Sequence, residues 1–351
     1  MNSPRPRVTI RDVADRVGVH PSTVSRVLNP ATRGRITSEI VKKVLSTADE
    51  LGYRPNQTAQ GLRTNRSRTV GVLIPDITNP LFPPIIRGVE DALAEGGYTA
   101  VLGNTDNLAE RERDAVATMR ARQVDGLIMA TARKDDPIVA DCVSDGLPVV
   151  LVNRSSDVPG VSSVVNDDAM GIAQAISHLK GLGHSRIAHI AGPQTLSTGE
   201  VRRRSFYDAM AGEGLVAEDD LVAETTAFSE DEGLRAAADL IASGREFTAI
   251  VASNDLLALG AYEAIDDAGL ACPGDMSVTG FNDMPFVDRV APPLTTIRIP
   301  QYEMGREAAR RLIQLMETPD FPARATTLRP ELIVRGSTAR VRNVNLAANR
   351  N

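Results

Sequence analysis

Aromatic residues and cysteines are scarce in this chain of 351 residues. It has 7 Phe, 5 Tyr and no Trp, and its 2 cysteines are Cys142 and Cys272. They form neither a CxxC pair nor a Cys/His cluster, which excludes a disulfide framework and a zinc finger. We expect both thiols to be reduced and to pack as small hydrophobic residues. Because rings are so few, a Phe beside a predicted strand end becomes informative.

Long apolar segments are also absent. No apolar run reaches the roughly 18–20 residues that span a bilayer. The N-terminus, MNSPRPRVTI, has no apolar core of signal-peptide length. We therefore expect a cytoplasmic protein with no membrane partner. The length is too great for one ordinary core and favours two or three domains.

Positive charge is concentrated at one end of the chain. Residues 1–68 hold 13 Lys or Arg against 5 Asp or Glu, a balance of +8, so the remainder carries −14. A basic head on an acidic body fits a protein that meets phosphate at one end only. The alternative is a basic arm that is merely solvated, and charge alone does not exclude it.

Two short helices are predicted near the N-terminus. Thr9 is a natural N-cap with Asp12 three residues later, and apolar residues then recur at helical spacing up to Gly18. A second helix is predicted from Pro21, a favourable first helical residue, to Leu28. Two short helices joined by a tight turn with glycine are typical of a helix-turn-helix.

The second helix of such a motif enters the major groove of DNA with its N-terminal residues against the base edges. Pro21 and Ser22 would then lie nearest the bases, and Arg26, one turn later, could reach a guanine or a phosphate. Thr23 and Ser25 can donate to phosphates, which positions the protein without reading sequence.

A third helix is predicted from Ser38, capped by Thr37, to Leu51, with Gly52 as its stop. Its apolar face would close a small three-helix core. A plain helical bundle is the alternative reading, and the +8 charge weighs against it.

From residue 69 onward, apolar strand-like runs alternate with amphipathic helices. Such a pattern predicts parallel sheets covered on both faces, and the number of runs favours two α/β subdomains. The predicted strands are 69–77, 98–105, 125–130, 148–153, 161–166, 186–192, 248–254 and 276–283. The predicted helices include 82–95, 109–122, 168–181, 230–242 and 255–268.

The predicted strands end in polar residues. These are Asp76, Asn79, Asn104, Asp106, Asn153, Asn254-Asp255 and Asn282-Asp283. Ligands bind beyond the carboxyl ends of parallel strands, and a cleft lined with amides and carboxylates suits a small molecule rich in hydroxyls. The alternative role is capping of the following helices, for which Asp255 and Ser229 are well placed. We expect both roles to occur.

An enzyme would need a reaction centre, and none is predicted. Gly181-Leu182-Gly183 follows a helix and precedes a strand, the reverse of a dinucleotide-binding loop, and no P-loop, GxSxG or HExxH occurs. His178, His184 and His189 fall on a helix, a turn and a strand, a spacing that disfavours a metal site. We therefore predict no catalytic residue, no metal and no cofactor. A transported-sugar binding protein is the rival, and the basic head argues against it.

The chain closely resembles the LacI/GalR family of bacterial repressors. VTIRDVADRVGVHPSTVSRVLN (8–29) and LGYRPNQTAQGLRT (51–64) match the head and hinge signatures of that family. The resemblance implies a hinge, about Asn56–Leu62, that becomes helical on operator DNA, with Leu62 wedged between the central base pairs. Gln60-Gly61 departs from the commoner Ala-Arg-Ser, which weakens the hinge helix. His20 replaces the usual Ser, which leaves the cap of the second helix open to question.

The implied domain order is a helix-turn-helix head, a hinge and a body like a periplasmic sugar-binding protein with two doubly wound parallel-sheet subdomains. The predicted boundaries are 1–55 for the head, 56–68 for the hinge, 69–168 with 299–326 for subdomain one, 169–298 with 327–339 for subdomain two, and 340–351 for a short tail. The tail lacks leucine heptads, so no tetramerisation helix is expected.

The resemblance also implies the site residues. The DNA-binding set is Thr9, Pro21, Ser22, Thr23, Ser25, Arg26, Asn29, Tyr53, Asn56, Ala59 and Leu62. The effector-binding set is Leu81, Phe82, Asn153, Arg202, Phe228, Asn254 and Asn282, with Arg202 as the arginine that clamps the ligand. For Phe228, stacking on a sugar ring and plain core packing both stay open.

Asn153 and Asn282 stand where the family often carries Asp, which makes the cleft more tolerant of an anionic ligand. The expected effector is therefore a sugar or a sugar phosphate, with a nucleobase less favoured. The expected partners are double-stranded operator DNA and a second copy of the chain, one half-site for each head.

Overall fold

The computed structural model describes residues 8–54, 66–318 and 321–341, which form two compact units divided between Ser67 and Arg68. The predicted hinge positions Asn56, Ala59 and Leu62 and nearly all of the predicted tail lie outside the described residues. Each unit is taken by itself below.

The head contains four helices among its described residues: α1 (Ile10–Val17), α2 (Pro21–Leu28), α3 (Pro30–Arg33) and α4 (Ser38–Glu50). The Thr9 side chain accepts from the Asp12 amide while the Asp12 carboxylate accepts from the Thr9 amide, which is a complete capping box. Gly18 then ends α1 in the left-handed region, at φ 79°, where a side chain would be strained. The predicted first and second helices are confirmed.

The structure answers one open question about helix caps and corrects one predicted cap. His20 does cap α2, because its Nδ1 accepts from the backbone N–H of Ser22 at 3.2 Å, as a serine oxygen would. Thr37 makes no side-chain bond to α4, and the acidic Glu39 in the first turn is what complements that end of the helix dipole.

Valine dominates the core of the head. Its buried members are Val13, Ala14, Val17, Val24, Val27, Val44 and Ala48. They come from α1, α2 and α4, so the three predicted helices close one small apolar core, against which Tyr53 also packs.

The body is built on two six-stranded sheets. The first is wholly parallel, in the order β11-β5-β4-β3-β1-β2. Its strands are β1 (Thr69–Ile74), β2 (Thr99–Asn104), β3 (Gly126–Met129), β4 (Val149–Val152), β5 (Ser162–Asn166) and β11 (Ala325–Leu328). The second runs β12-β10-β9-β8-β6-β7, with only β12 antiparallel to its neighbour. Its strands are β6 (Ile187–Ala191), β7 (Val222–Glu224), β8 (Ala249–Ala252), β9 (Ser277–Asn282), β10 (Thr295–Arg298) and β12 (Glu331–Ile333).

Helices cover both sheets. Those packed on the first sheet are α5 (Phe82–Glu95), α6 (Ala109–Ala121), α7 (Pro137–Ser144) and α12 (Gln301–Glu317). Those packed on the second are α8 (Asp168–Gly181), α9 (Ser197–Gly212), α10 (Glu230–Ala242) and α11 (Asp255–Asp267). Alternate residues of the first sheet belong to different apolar clusters, with Val72 facing one layer and Leu73 the other. The predicted doubly wound architecture is confirmed.

The chain passes between the sheets three times: after β5, after β10 and between β11 and β12. Strand β11 continues to Leu328, two residues past the boundary predicted at 326. A glycine pair lets α5 and α12 pack closely, since a Cβ at Gly88 would lie 2.0 Å from the Tyr302 carbonyl oxygen. A Cβ at Gly305 would likewise lie 2.0 Å from the carbonyl oxygen of Ile85.

Candidate functional site

The N-terminal part of α2 presents a polar surface on the head. Ser22 and Arg26 are exposed, and their spacing of four residues places them on the same face of the helix. Thr23, Ser25 and Pro21 are half-buried beside them. The Ser22 hydroxyl lies 2.8 Å from His20 Nδ1, so the cap also orients this side chain. The surface has the donors needed for DNA contact, and the individual contacts stay predictions.

Other predicted DNA-binding residues of the head are engaged within it. The Thr9 hydroxyl donates to Asp12 Oδ2 at 2.8 Å, and hydrogen bonds from Thr9 lower the pKa of Asp12. Asn29 caps the end of α2, with its backbone N–H donating to the Ser25 carbonyl at 3.2 Å. Tyr53 packs against the head core, and burial raises its pKa. Their predicted DNA contacts also remain predictions.

A cavity of about 290 Å³ opens in the body where the carboxyl ends of both sheets meet. All seven predicted effector-binding residues line it: Leu81, Phe82, Asn153, Arg202, Phe228, Asn254 and Asn282. Three of them, Leu81, Phe82 and Asn153, come from the first subdomain. The second subdomain contributes Arg202, Phe228, Asn254 and Asn282. A pocket of this size, shared between two lobes, suits a small ligand.

Arg202 is buried in the cleft wall and contacts three groups there. Its guanidinium donates to the Ser253 carbonyl at 2.7 Å and to Asp168 Oδ1 at 3.0 Å. It also lies 3.8 Å above the centre of the Phe281 ring. Burial raises the pKa of Asp168, and the charge and hydrogen bond of Arg202 oppose that rise. Asp168 begins α8, which packs on the second sheet, so it belongs to the second subdomain and not to the first, where the predicted boundary at 168 placed it. The arginine is thus positioned by groups of the second subdomain.

Several buried polar atoms of the cleft have no hydrogen-bond partner among the described residues. They are Asn153 Oδ1, Arg154 Nε, Thr198 Oγ1, Arg202 Nε and Asn282 Oδ1. Asn254 differs, because its Oδ1 accepts from the Leu257 amide at 2.9 Å and caps α11. A buried polar atom without a partner is unfavourable by about 1–3 kcal/mol. The concentration of such atoms here indicates a surface that is completed by something else.

The two phenylalanines lie on opposite walls. Phe82 is 2% exposed at the start of α5 and belongs to the main apolar core. Phe228 is half-buried, lines the cavity and also packs on that core. It passes so close to Gly192 that a Cβ there would lie 2.3 Å from Phe228 Cζ. Phe228 therefore packs on the core and also lines the cavity, and its stacking on a ligand stays a prediction.

The first subdomain adds two arginines that sequence reasoning missed. Arg154 donates to the Thr131 carbonyl at 3.2 Å and to Asn107 Oδ1 at 3.4 Å, and Arg133 donates to the Asn107 carbonyl at 2.9 Å. Both arginines line the cavity. Burial lowers the pKa of Arg154 to about 10. Glu112 accepts from the Thr131 hydroxyl, and burial raises its pKa.

Several polar contacts join the two subdomains. The Lys134 backbone N–H donates to the Thr195 carbonyl at 3.4 Å, and Gln301 Nε2 donates to the Asn282 carbonyl at 2.9 Å. Two further contacts reach the first turn of α9. The Ser155 backbone N–H donates to Ser197 Oγ at 2.9 Å, and Lys134 Nζ lies 2.9 Å from Glu200 Oε1. Both contacts connect loops of the first subdomain to the first turn of α9. The same turn carries Thr198, which lines the cavity, and Arg202 follows one turn later.

Asp255 does not cap α11 as the sequence suggested. Asn254, one residue earlier, is the N-cap. The Asp255 carboxyl is instead buried and accepts from the Met284 amide at 2.8 Å and from the Thr296 hydroxyl at 2.5 Å. Burial raises its pKa to about 7. Ser229 does cap α10, as expected, by accepting from the Glu232 amide.

The three nearby histidines have separate environments. His189 stacks on Phe206 at 4.6 Å, its Nδ1 lies 2.8 Å from the Val251 carbonyl, and burial lowers its pKa to about 4. His184 lies between Thr248 and the Ala339 carbonyl, and His178 contacts Thr338. Within residues 8–54, 66–318 and 321–341, no group of His, Cys, Asp or Glu could hold a metal ion. Over the same ranges no helix is both long and apolar enough to cross a membrane.

Two segments of the chain match known protein families. Residues 9–56 match bacterial regulatory proteins of the lacI family, and residues 176–338 match the periplasmic binding protein-like domain. The first segment contains the helix-turn-helix, and the second contains most of subdomain two.

Proteins similar over most of this chain are also regulators of transcription. The ribose operon repressor of Bacillus subtilis is 35% identical over 312 residues, which cover 88% of this chain and 92% of the relative. The Lac repressor dimer bound to operator and the anti-inducer ONPF superimposes with a TM-score of 0.85 at 27% identity, covering 95% of this chain and 100% of that one. A LacI family regulator from Enterococcus faecium with bound ribose gives 0.69 at 30% identity, covering 78% and 100%.

Three findings indicate the same family. They are the basic helix-turn-helix head, the two-lobed α/β body with its polar cleft, and the relatives similar over nearly their full length. The chain therefore belongs to the lacI family of bacterial regulatory proteins, which are DNA-binding regulators of transcription and not enzymes.

Proposed function

We propose that this chain is a repressor that binds a pseudo-palindromic operator as a homodimer and responds to a small sugar-like effector in the inter-subdomain cleft. It would act in the cytoplasm, where the operator is. The observation that carries the effector role is the set of five buried cleft atoms without partners, which hydroxyl groups of a ligand can satisfy. The relatives support repression, because the Bacillus subtilis protein is a ribose operon repressor and the Lac repressor neighbour is an operator-bound dimer.

The head supplies sequence recognition in this proposal. Pro21 and Ser22 face the bases, Arg26 reaches a guanine or a phosphate, and the remaining head residues of the predicted set contact the backbone. Asn56, Ala59 and Leu62 would form the hinge, with Leu62 as an apolar wedge in the minor groove. Each protomer occupies one half-site.

The effector acts by binding one arrangement of the two subdomains more tightly than another, since a ligand shifts an equilibrium only through such a difference. Arg202 holds the ligand from the second subdomain, while Asn153 and the start of α5 hold it from the first. A change in the angle between the subdomains would then reach the hinges and alter operator affinity. A sugar or a sugar phosphate fits the cleft better than a nucleobase, because its lining is mostly polar and only two of its side chains are aromatic.

DNA binding is tested with duplexes that the full-length protein selects from a random library. Arg26→Ala should weaken binding to the selected duplex by about tenfold or more, since a charged hydrogen bond contributes about 1.5–3 kcal/mol. Arg87→Ala is the matched control, because that side chain is 69% exposed on α5 of the body unit. Equal binding by Arg26→Ala and the control would contradict the assigned recognition surface.

The cleft is tested by measuring whether a stabilising ligand changes affinity for the same duplex. Candidates come from a thermal-shift screen of sugars, sugar phosphates and nucleobases, because binding to the folded state raises the melting temperature. Arg202→Ala should bind the duplex normally and lose the ligand response. A normal response in Arg202→Ala would show that the effector binds elsewhere.

A further inference from the structure

Cationic side chains predominate around the cleft. Three arginines line it, namely Arg133, Arg154 and Arg202, against two carboxylic acids, Asp76 and Glu112. Asp76 already accepts from the Thr78 backbone and hydroxyl, and Glu112 accepts from the Thr131 hydroxyl in a buried setting that raises its pKa. The two amides at the strand ends, Asn153 and Asn282, contribute no charge. The lining is therefore suited to negative charge on a ligand.

Arg154 donates no hydrogen bond to an acid among the described residues. The side chain is 5% exposed, and its guanidinium donates only to neutral oxygens, those of Thr131 and Asn107. Among the described residues, neither Arg154 nor Arg133 forms an ion pair, whereas Arg202 has Asp168. The charge of Glu112 acts on Arg154 without a direct ion pair, and burial disfavours the charged form of that carboxyl group. A buried guanidinium with no ion pair is unfavourable. Here Asn107, at φ 57°, brings the two guanidinium groups to one edge of the cavity by accepting from both.

The N-terminus of α9 adds a further positive element at the same edge. Its N-cap is Leu196, which has no side chain able to bond the free N–H groups of the first turn. Thr198 in that turn is 4% exposed, lines the cavity and has no partner for its hydroxyl. The hydrogen bond from the Ser155 amide to Ser197 Oγ holds this turn beside the residue after Arg154. Unsatisfied backbone N–H groups at a helix start favour an anion.

We propose that the effector carries an anionic group, a carboxylate or a phosphate, on a hydroxylated carbon skeleton, and that Arg133, Arg154 and the first turn of α9 bind that group. The inference rests on the proposed function, since it names the chemical class of the cleft's ligand. The anion bridges the two subdomains, because the arginines belong to the first and the helix turn to the second. Arg202, one turn further along α9, then faces the hydroxyl-bearing part of the ligand.

The test uses the full-length protein and nine compounds: glucose, galactose and ribose, each as the neutral sugar, as its sugar acid and as its phosphate ester. Thermal shift identifies binders and titration calorimetry measures their affinity. We expect the charged forms to bind and the neutral parents to bind at least tenfold more weakly. A preference for the acids or for the esters identifies the anion as carboxylate or phosphate.

Arg154→Gln and Arg133→Gln should each weaken binding of the charged form about 10- to 100-fold, which is the range for loss of a charged hydrogen bond. Arg133→Gln keeps the test valid if the buried variant does not fold. Arg289→Gln is the control, since that side chain is 79% exposed beside Asp288 and does not line the cleft. Equal affinity for neutral and charged forms, no binding of any charged form, or full affinity in Arg133→Gln would overturn the inference.

The two proposals fail separately. If a neutral sugar binds in an Arg202-dependent way and changes affinity for the selected duplex, the anionic class is wrong and the proposed function stands. If a charged compound binds through Arg154 and leaves duplex affinity unchanged, the ligand class stands and the regulatory function is wrong.

Discussion

Removing the Asp168 carboxylate should destabilise the body more than removing any surface charge. The Asp168 side chain is 8% exposed and lies 3.0 Å from an Arg202 guanidinium that is 2% exposed. Asp168→Ala leaves that guanidinium with the Ser253 carbonyl and the Phe281 ring as partners. Breaking a buried pair from one side is unfavourable by about 3–5 kcal/mol. For a unit of this size, that lowers the melting temperature by roughly 6–15 °C.

Urea unfolding of the full-length protein, followed by circular dichroism, measures this loss as a change in the free energy of unfolding. Asp168→Asn should lose less than Asp168→Ala, because the amide oxygen can still accept from Arg202. Asp239→Ala is the control: its ion pair with Arg235 joins side chains that are 69% and 47% exposed, so its loss should stay within about 1 kcal/mol.

A double-mutant cycle separates the pair from its surroundings. Combining Asp168→Ala with Arg202→Met removes both charges and should recover part of the stability, with a coupling of about 1–3 kcal/mol. Additive losses, or an Asp168→Ala protein as stable as the control, would refute the view that this pair is what holds Arg202 in place.

Two further predictions concern the body. Burial raises the pKa of Asp255 from 3.8 to about 7, so the protonated form is favoured by folding and its contribution to stability is lost as the pH rises from about 4 through 7. Asp255→Asn, which resembles the protonated acid, should therefore gain stability relative to the natural protein between pH 5 and pH 8 in urea titrations. A difference that does not change with pH would contradict this. Gly88→Ala should destabilise by about 1–3 kcal/mol, because the new methyl group would meet the Tyr302 backbone. Gly212→Ala, at a helical glycine with nothing within 4 Å, should be neutral or stabilising in the same assay, and equal losses would contradict the packing argument.

The sequence predicted correctly those helix caps and strands that a local pattern determines. The caps at Thr9 and Ser229 and the apolar strands needed only hydrophobic periodicity and capping chemistry. Strands β7, β10, β11 and β12 were not predicted, because none of them contains more than two consecutive apolar residues, whereas the equally short β3, β4 and β8 are apolar throughout or nearly so. The predicted N-cap of α11 was wrong by one residue, because Asn and Asp are equally favourable N-cap residues and stand next to each other at 254 and 255. Only the tertiary contacts of Asp255 with Thr296 and Met284 distinguish them.

Some residues of the cleft could likewise be predicted from the sequence and others could not. Its seven predicted members all line one cavity. The strand-end pattern had already indicated Asn153, Asn254 and Asn282, and the other four came from resemblance alone. Asp168 could not be found, because its partner is 34 residues away and on another helix. Arg154 directly follows Asn153 at the end of β4, so the strand-end pattern that indicates Asn153 also indicates Arg154. Arg133 has its role only because Asn107 accepts from both arginines, which no sequence spacing reveals.

The contacts that join the two subdomains across the cleft are weak enough for a ligand to control. A partly exposed ion pair such as Lys134–Glu200 contributes about 0–1 kcal/mol, and a neutral hydrogen bond such as Ser155–Ser197 about 0.5–1.5 kcal/mol. A ligand held on one side by Arg154 and on the other by Arg202 would add bonds that exist only when both walls are present. Bonds to charged groups contribute about 1.5–3 kcal/mol each. Two of them together contribute about 3–6 kcal/mol. This exceeds either of those two contacts alone and can shift the balance between subdomain arrangements by a factor of about 100 or more. Arginines on both walls, more than the size of the cavity, are thus what make this cleft suited to regulation.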